Sequence, residues 1–113
     1  MITETRRAPR LQVPALVPVT NQMTGASIGR LGNISETGML LIASEPLVED
    51  ALYQLRFPVS DGHGGDSPID AGAHLLWCEA AQAPGHCWAG FRFIAMEKNQ
   101  RERLRQWIEA QLS

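Results

Sequence analysis

The run Asn33-Ile34-Ser35-Glu36-Thr37-Gly38-Met39-Leu40-Leu41 sets a short polar turn between two apolar segments. Asn33 carries one acceptor and two donors on its amide, and Ser35 carries a hydroxyl. Gly38 permits a positive φ angle or a close approach of backbone. The run reads as a connection between two strands. Two uses fit it: a turn held together by its own Asn and Ser side chains, or a turn that offers those groups to a ligand.

Outward from this turn the chain reads as short strands. Upstream, Ala26 to Ile34 is a strand weakened by Gly29 and Gly32. Before it, Leu11 to Thr20 places Leu11, Val13, Ala15, Val17 and Val19 on one face, as a half-buried strand requires. Pro14 and Pro18 restrict that strand to an edge or a bulge. Downstream, Met39 to Ala43 is short, apolar and expected to be buried. Leu52 to Val59 alternates cleanly, with Tyr53, Leu55, Phe57 and Val59 set against Gln54 and Arg56. Ser60 to Pro68 is glycine-rich and predicts a long, mobile loop. Ile69 to Glu79 and Cys87 to Ile94 form a last hairpin whose register the sequence does not give. Six short strands spaced in this way predict a small antiparallel barrel.

The period changes at the C-terminus. From Glu97 to Leu112 the apolar residues are Leu104, Trp107, Ile108 and Leu112, at helical spacing. The first half of this segment, Glu97 to Arg103, is almost wholly polar. A helix over 97–112 can close one end of the barrel, or it can dock a partner or a second copy of the chain through Trp107 and Ile108. Trp77 and Trp88 read as core or rim residues, with stacking on a ligand ring as the other use.

At the other end of the chain, Arg6, Arg7 and Arg10 are packed into five residues. A guanidinium keeps its charge at any relevant pH, and its fork of donors matches phosphate oxygens or the O6/N7 edge of guanine. Its flat face can stack on a base. Pro9 keeps the segment out of a helix and biases Ala8 toward extended backbone. In an extended run Arg6 and Arg10 point one way and Arg7 the other. Residues 1–10 therefore read as a flexible arm, with residues 11–113 forming the barrel and its helix. The arm is either a solvated basic tail or a clasp for a compact anion.

Composition narrows the classes. A chain of 113 residues with 44% hydrophobic and 19% charged residues is one globular domain. Net charge is −2, so the whole molecule does not attract polyanions, and the positive charge is local. Glu4 is the only acidic residue before Glu36, whereas Arg6, Arg7, Arg10 and Arg30 all lie in that stretch. This favours a small anionic ligand over a nucleic-acid polymer, which draws on a basic face. No stretch approaches the ~20 apolar residues that span a bilayer, and no signal peptide is visible, so a cytoplasmic location is the expectation. Cys78 and Cys87 flank a turn and can approach across it; in a reducing compartment they are expected as thiols. His63, His74 and His86 lack paired-ligand spacing, so no metal site is expected. No Ser-His-Asp set with supporting context, carboxylate pair or GxxxxGK loop suggests an enzyme.

The two polar clusters, in this order, resemble the PilZ domain, a bacterial receptor family for cyclic di-GMP. Its pattern is RxxxR or RRxxR, then [D/N]xSxxG after the second strand. Arg6, Arg7 and Arg10 match the first element; Asn33, Ser35 and Gly38 match the second. Gly38-Met39-Leu40-Leu41 looks like the family's third strand, and Gly90-Phe91-Arg92-Phe93 like its Gly-x-x-Phe strand ending, with a helix after it. Asn33 stands where many members carry Asp. The resemblance covers about residues 5 to 112.

It implies a mainly β fold: a small six-stranded antiparallel β-barrel of the split-barrel type with one C-terminal α-helix. It also implies a non-enzymatic receptor that takes cyclic di-GMP as ligand and needs no cofactor. Arg6, Arg7 and Arg10 would bind phosphates and guanine edges. Asn33 would bond a guanine, Ser35 would reach a phosphate or ring edge, and Gly38 would leave room for the ligand. With one domain, output would pass through a downstream protein partner or through self-association. Two other readings stay open. One is a PilZ-fold interaction module that binds no nucleotide, as in pilus assembly. The other is a small barrel for single-stranded nucleic acid, which would want aromatic residues interleaved with Lys and Arg; the chain has three Trp, three Phe, one Tyr and a single lysine, Lys98.

Overall fold

A computed structural model describes residues 10–13, 16–60 and 65–112. The expected first strand, Leu11 to Thr20, is two pieces: β1 (Leu11–Gln12) and β2 (Pro18–Asn21). Both run antiparallel to the same side of β3 (Ala26–Ile34). Between them, Val13 N–H donates to the Gly32 carbonyl (3.0 Å) and Leu31 N–H to the Val17 carbonyl (2.9 Å). Pro14 lies outside the described residues, and Pro18 opens β2, where it has no N–H to give the ladder. The alternation itself holds, with Leu11 and Val19 buried and Val13 and Val17 packed against the core.

The remaining strands are β4 (Gly38–Ala43), β5 (Leu52–Ser60), β6 (Asp66–Ala80) and β7 (Cys87–Met96). They pair in the order β3-β2-β5-β6-β7-β4, and β4 returns to β3. The result is the expected closed six-stranded antiparallel barrel, with β1 as an extra rung on β3. Closure removes free edges. The predicted loop Ser60 to Pro68 is shorter than its glycines suggested. Ser60 pairs with Asp66, Val59 with Ser67 and Pro58 with Pro68, so the two strands run well into it. The prolines face each other, and neither has a donor to lose.

Inside, Phe57, Ile28, Leu31, Ile34, Met39 and Leu75 are fully enclosed. Phe57 and Phe93 stack with ring centroids 6.3 Å apart, and Tyr53 meets Phe91 edge-on at 5.9 Å. The helix α1 (Lys98–Leu112) buries Leu104 and Ile108, with Trp107 packed beside them. This is the barrel-closing use of the helix. Its polar first half is held by hydrogen bonds instead. Gln100 Oε1 accepts from Asp70 N–H at 2.7 Å, and Arg103 Nη2 donates to the Pro68 carbonyl at 3.0 Å. Asp70 is a small hub. It accepts from Arg56 Nε at 2.7 Å and from Gln22 Nε2 at 3.1 Å. Among the described residues, no helix is long and apolar enough to cross a membrane.

Candidate functional site

Four residues stand opposite one another in turn across four strands. Asn33 of β3 pairs with Leu40 of β4, Leu40 with Gly90 of β7, and Gly90 with Trp77 of β6. Opposed residues project to the same side of a sheet. Leu40 is half-buried and lies between the core residues Met39 and Leu41, so this row lies on the barrel's outer wall. At ~4.8 Å per strand the row spans roughly 14 Å.

Each end of the row is chemically distinct. At one end Arg10, just before β1, donates from Nη1 to Asn33 Oδ1 at 3.0 Å. β1 brings it there, because Leu11 pairs with Ile34 and Gln12 with Asn33, and the buried Leu11 anchors the strand. At the other end Trp77 is 41% exposed and its indole lies across Gly90. A Cβ at position 90 would collide with the indole ring, so only glycine gives Trp77 this bed. Between the ends is a cavity of about 270 Å³ lined by Arg10, Asn33, Leu40, Leu76, Trp77 and Gly90. It joins a permanent cation, an amide and an indole over an apolar floor. That combination suits a ligand with a planar ring and an anionic group.

The remaining residues singled out in the sequence are placed differently. Ser35 is buried, and its hydroxyl stays inside the turn. It accepts from Thr37 N–H at 3.2 Å, lies 3.1 Å from Thr37 Oγ1 and donates to the Gly38 carbonyl at 3.4 Å. Gly38 packs on β7 opposite Arg92, where a Cβ would strike the Phe91 carbonyl oxygen. Its smallness serves strand packing here. Arg6 and Arg7, with most of the arm, lie outside the described residues. Among the described residues, no group of three or more His, Cys, Asp and Glu side chains is placed to hold a metal ion.

From the sequence alone Trp77 reads as a core or rim residue. The missing information was register: nothing in the sequence shows that a glycine faces it across the hairpin. The bulge between Leu75 and Trp77 makes this harder, because it turns Leu76 outward with Trp77.

The family model of the PilZ domain matches residues 4–110. The chain belongs to the PilZ domain family. Solved structures share its fold. The inhibitor of motility MotI/DgrA of Bacillus subtilis superposes with a TM-score of 0.79 at 14% identity, covering 95% of this chain and 50% of that one. YcgR of Escherichia coli in complex with c-di-GMP gives 0.67 at 22% identity, over 93% of this chain and 45% of that one. The isolated PilZ domain of YcgR with c-di-GMP gives 0.64 at 18% identity, over 95% and 93% of the two chains. The PilZ chain described here thus spans about half the length of MotI and of intact YcgR. No curated protein sequence matches it.

Proposed function

We propose that this PilZ domain is a receptor for cyclic di-GMP that acts through binding and not catalysis. The observation that carries the reading is the Arg10–Asn33 hydrogen bond at the end of the Asn33–Leu40–Gly90–Trp77 row. It brings one residue from each of the two family motifs to a single cavity. Family membership and the c-di-GMP held by YcgR support the choice of ligand.

In this reading Arg10 and Asn33 bind a phosphate or guanine edge, and Trp77 stacks on a guanine. Ser35 and Gly38 act by shaping the turn and the strand that present Asn33. The cavity's 270 Å³ lies just below the ~300–1,000 Å³ of ordinary ligand pockets, so a dinucleotide needs a further wall. Arg6 and Arg7 on the arm supply it, ordering over the ligand and adding counter-charge to its phosphates. The ordered arm and the ligand then form the surface that a downstream protein reads.

Amide and indole NMR shifts during titration with cyclic di-GMP test this mapping. The largest shifts are expected at Asn33, Leu40, Gly90 and the Trp77 indole N–H. Saturable shifts confined to another face of the barrel would contradict it. No response to any nucleotide would favour an interaction module that binds none.

A further inference from the structure

The two cysteines lie outside the row just described, at the far end of the β6–β7 hairpin. Their sulfurs are 3.8 Å apart. Cys78 pairs with Ala89, and Cys87 with Ala80, so the thiols face each other along a diagonal between the strands. Both are half-buried, and both line a surface cavity of about 320 Å³ with Glu45, Pro46, Gly85 and His86. A small oxidant can therefore reach them, and each thiol has the other as its nearest reaction partner.

We propose that Cys78 and Cys87 form a reversible dithiol–disulfide site oxidised by hydroperoxides. In the first step the Cys87 thiolate attacks the terminal peroxide oxygen. The O–O bond breaks, Cys87 becomes a sulfenic acid, and the departing alkoxide or hydroxide takes up a proton. In the second step Cys78 sulfur attacks the sulfenic sulfur, the S–O bond breaks and water leaves. Two thiols and one hydroperoxide thus give one disulfide, one alcohol or water, and one water.

The roles follow from the surroundings. Burial, together with the charge of the Glu49 carboxylate held against this strand, disfavours a thiolate at Cys78, which leaves first attack to Cys87 and makes Cys78 the resolving thiol. Its backbone N–H is tied to Glu49 Oε2 at 2.7 Å, so the position is fixed beside its partner. Closing the bond draws the sulfurs from 3.8 Å to the ~2.05 Å of a disulfide. Trp77 and Trp88 each adjoin one cysteine in sequence, so closure acts directly beside the Trp77–Gly90 wall.

The test is to treat the full chain, without nucleotide, with a small excess of hydrogen peroxide and follow intact mass and alkylation. The expected product is a monomer that has lost two hydrogens, is closed to iodoacetamide at both positions, and is restored by dithiothreitol. Cys78→Ser should instead accumulate a dimedone adduct at Cys87. Thiols that both stay open to iodoacetamide on the folded protein, or a disulfide formed only between molecules, would overturn the site. A dimedone adduct on Cys78 in Cys87→Ser, with none on Cys87 in Cys78→Ser, would overturn the assigned roles.

Discussion

Arg10 Nη1 donates to Asn33 Oδ1 at 3.0 Å, across 23 residues of sequence. The two motifs that mark this family are therefore joined by a direct contact. The bond seats Arg10 on the outer wall and holds the Asn33 amide with its oxygen toward the guanidinium. A ligand that takes either group must compete with this contact or add to it.

Arg10→Ala is expected to weaken cyclic di-GMP binding by about 30-fold to several thousandfold, since truncating a charge-assisted contact costs about 2 to 5 kcal/mol. The contact is exposed, so the melting temperature should stay nearly unchanged. Calorimetry and thermal denaturation on one preparation check both halves.

Trp77→Ala is expected to cost binding about 1 to 3 kcal/mol, the usual worth of a base stacked on an aromatic ring. Trp77→Phe should recover part of that loss. An alanine variant that binds as well as the parent would remove Trp77 from the site.

Ser35→Ala and Gly38→Ala separate support from contact. Ser35 loses its bonds within the turn, at about 0.5 to 1.5 kcal/mol of stability. Gly38→Ala drives a methyl into the Phe91 carbonyl and should cost about 1 to 3 kcal/mol. Phe93→Ala removes a ring stacked on Phe57 and should cost about 3 to 5 kcal/mol. Urea unfolding ranks the three, and Phe93→Ala should be the most destabilising.

Asp70 gives the fold a measurable acid limb. The hydrogen bond from Arg56 holds its carboxyl below the ordinary value of 3.8. Its contribution is present above that value and is lost as pH falls through the lower, folded one. The pair is partly exposed, so solvent screening keeps the effect small. Asp70→Asn should flatten this part of the stability profile below pH ~4 and leave the rest of the acid limb in place.

Much of the fold was legible because it is carried by period and punctuation. Leu52 to Val59 alternates in the structure as it does in the sequence, and Leu104 and Ile108 are the buried residues of the helix. The long polar run before Leu104 was readable as helix but not as attachment. Its partners, the Asp70 N–H and the Pro68 carbonyl, are backbone groups far away in sequence. The site was half legible. Arg10 and Asn33 announce themselves by chemistry and spacing. Trp77 becomes part of the wall only through its pairing with Gly90, and pairing register across a bulged hairpin leaves no local signal. Ser35 and Gly38 match the family pattern, yet their contacts here are with the turn and with β7.

The part played by the arm is a question of order. Residues 3–9 are expected to exchange their amides rapidly in the free chain and to gain protection when cyclic di-GMP is bound. Gln12, already paired with Asn33, should change little. Equal protection of residues 3–9 with and without ligand would remove the ordering step and leave binding intact.

Titration calorimetry of the full chain with cyclic di-GMP, cyclic di-AMP, GTP and a short oligonucleotide tests the central claim most directly. The account predicts saturable binding of cyclic di-GMP, much weaker binding of the other three, and loss of the signal in Arg10→Ala. Absence of cyclic di-GMP binding, or binding that Arg10→Ala leaves within a factor of about two, would contradict it.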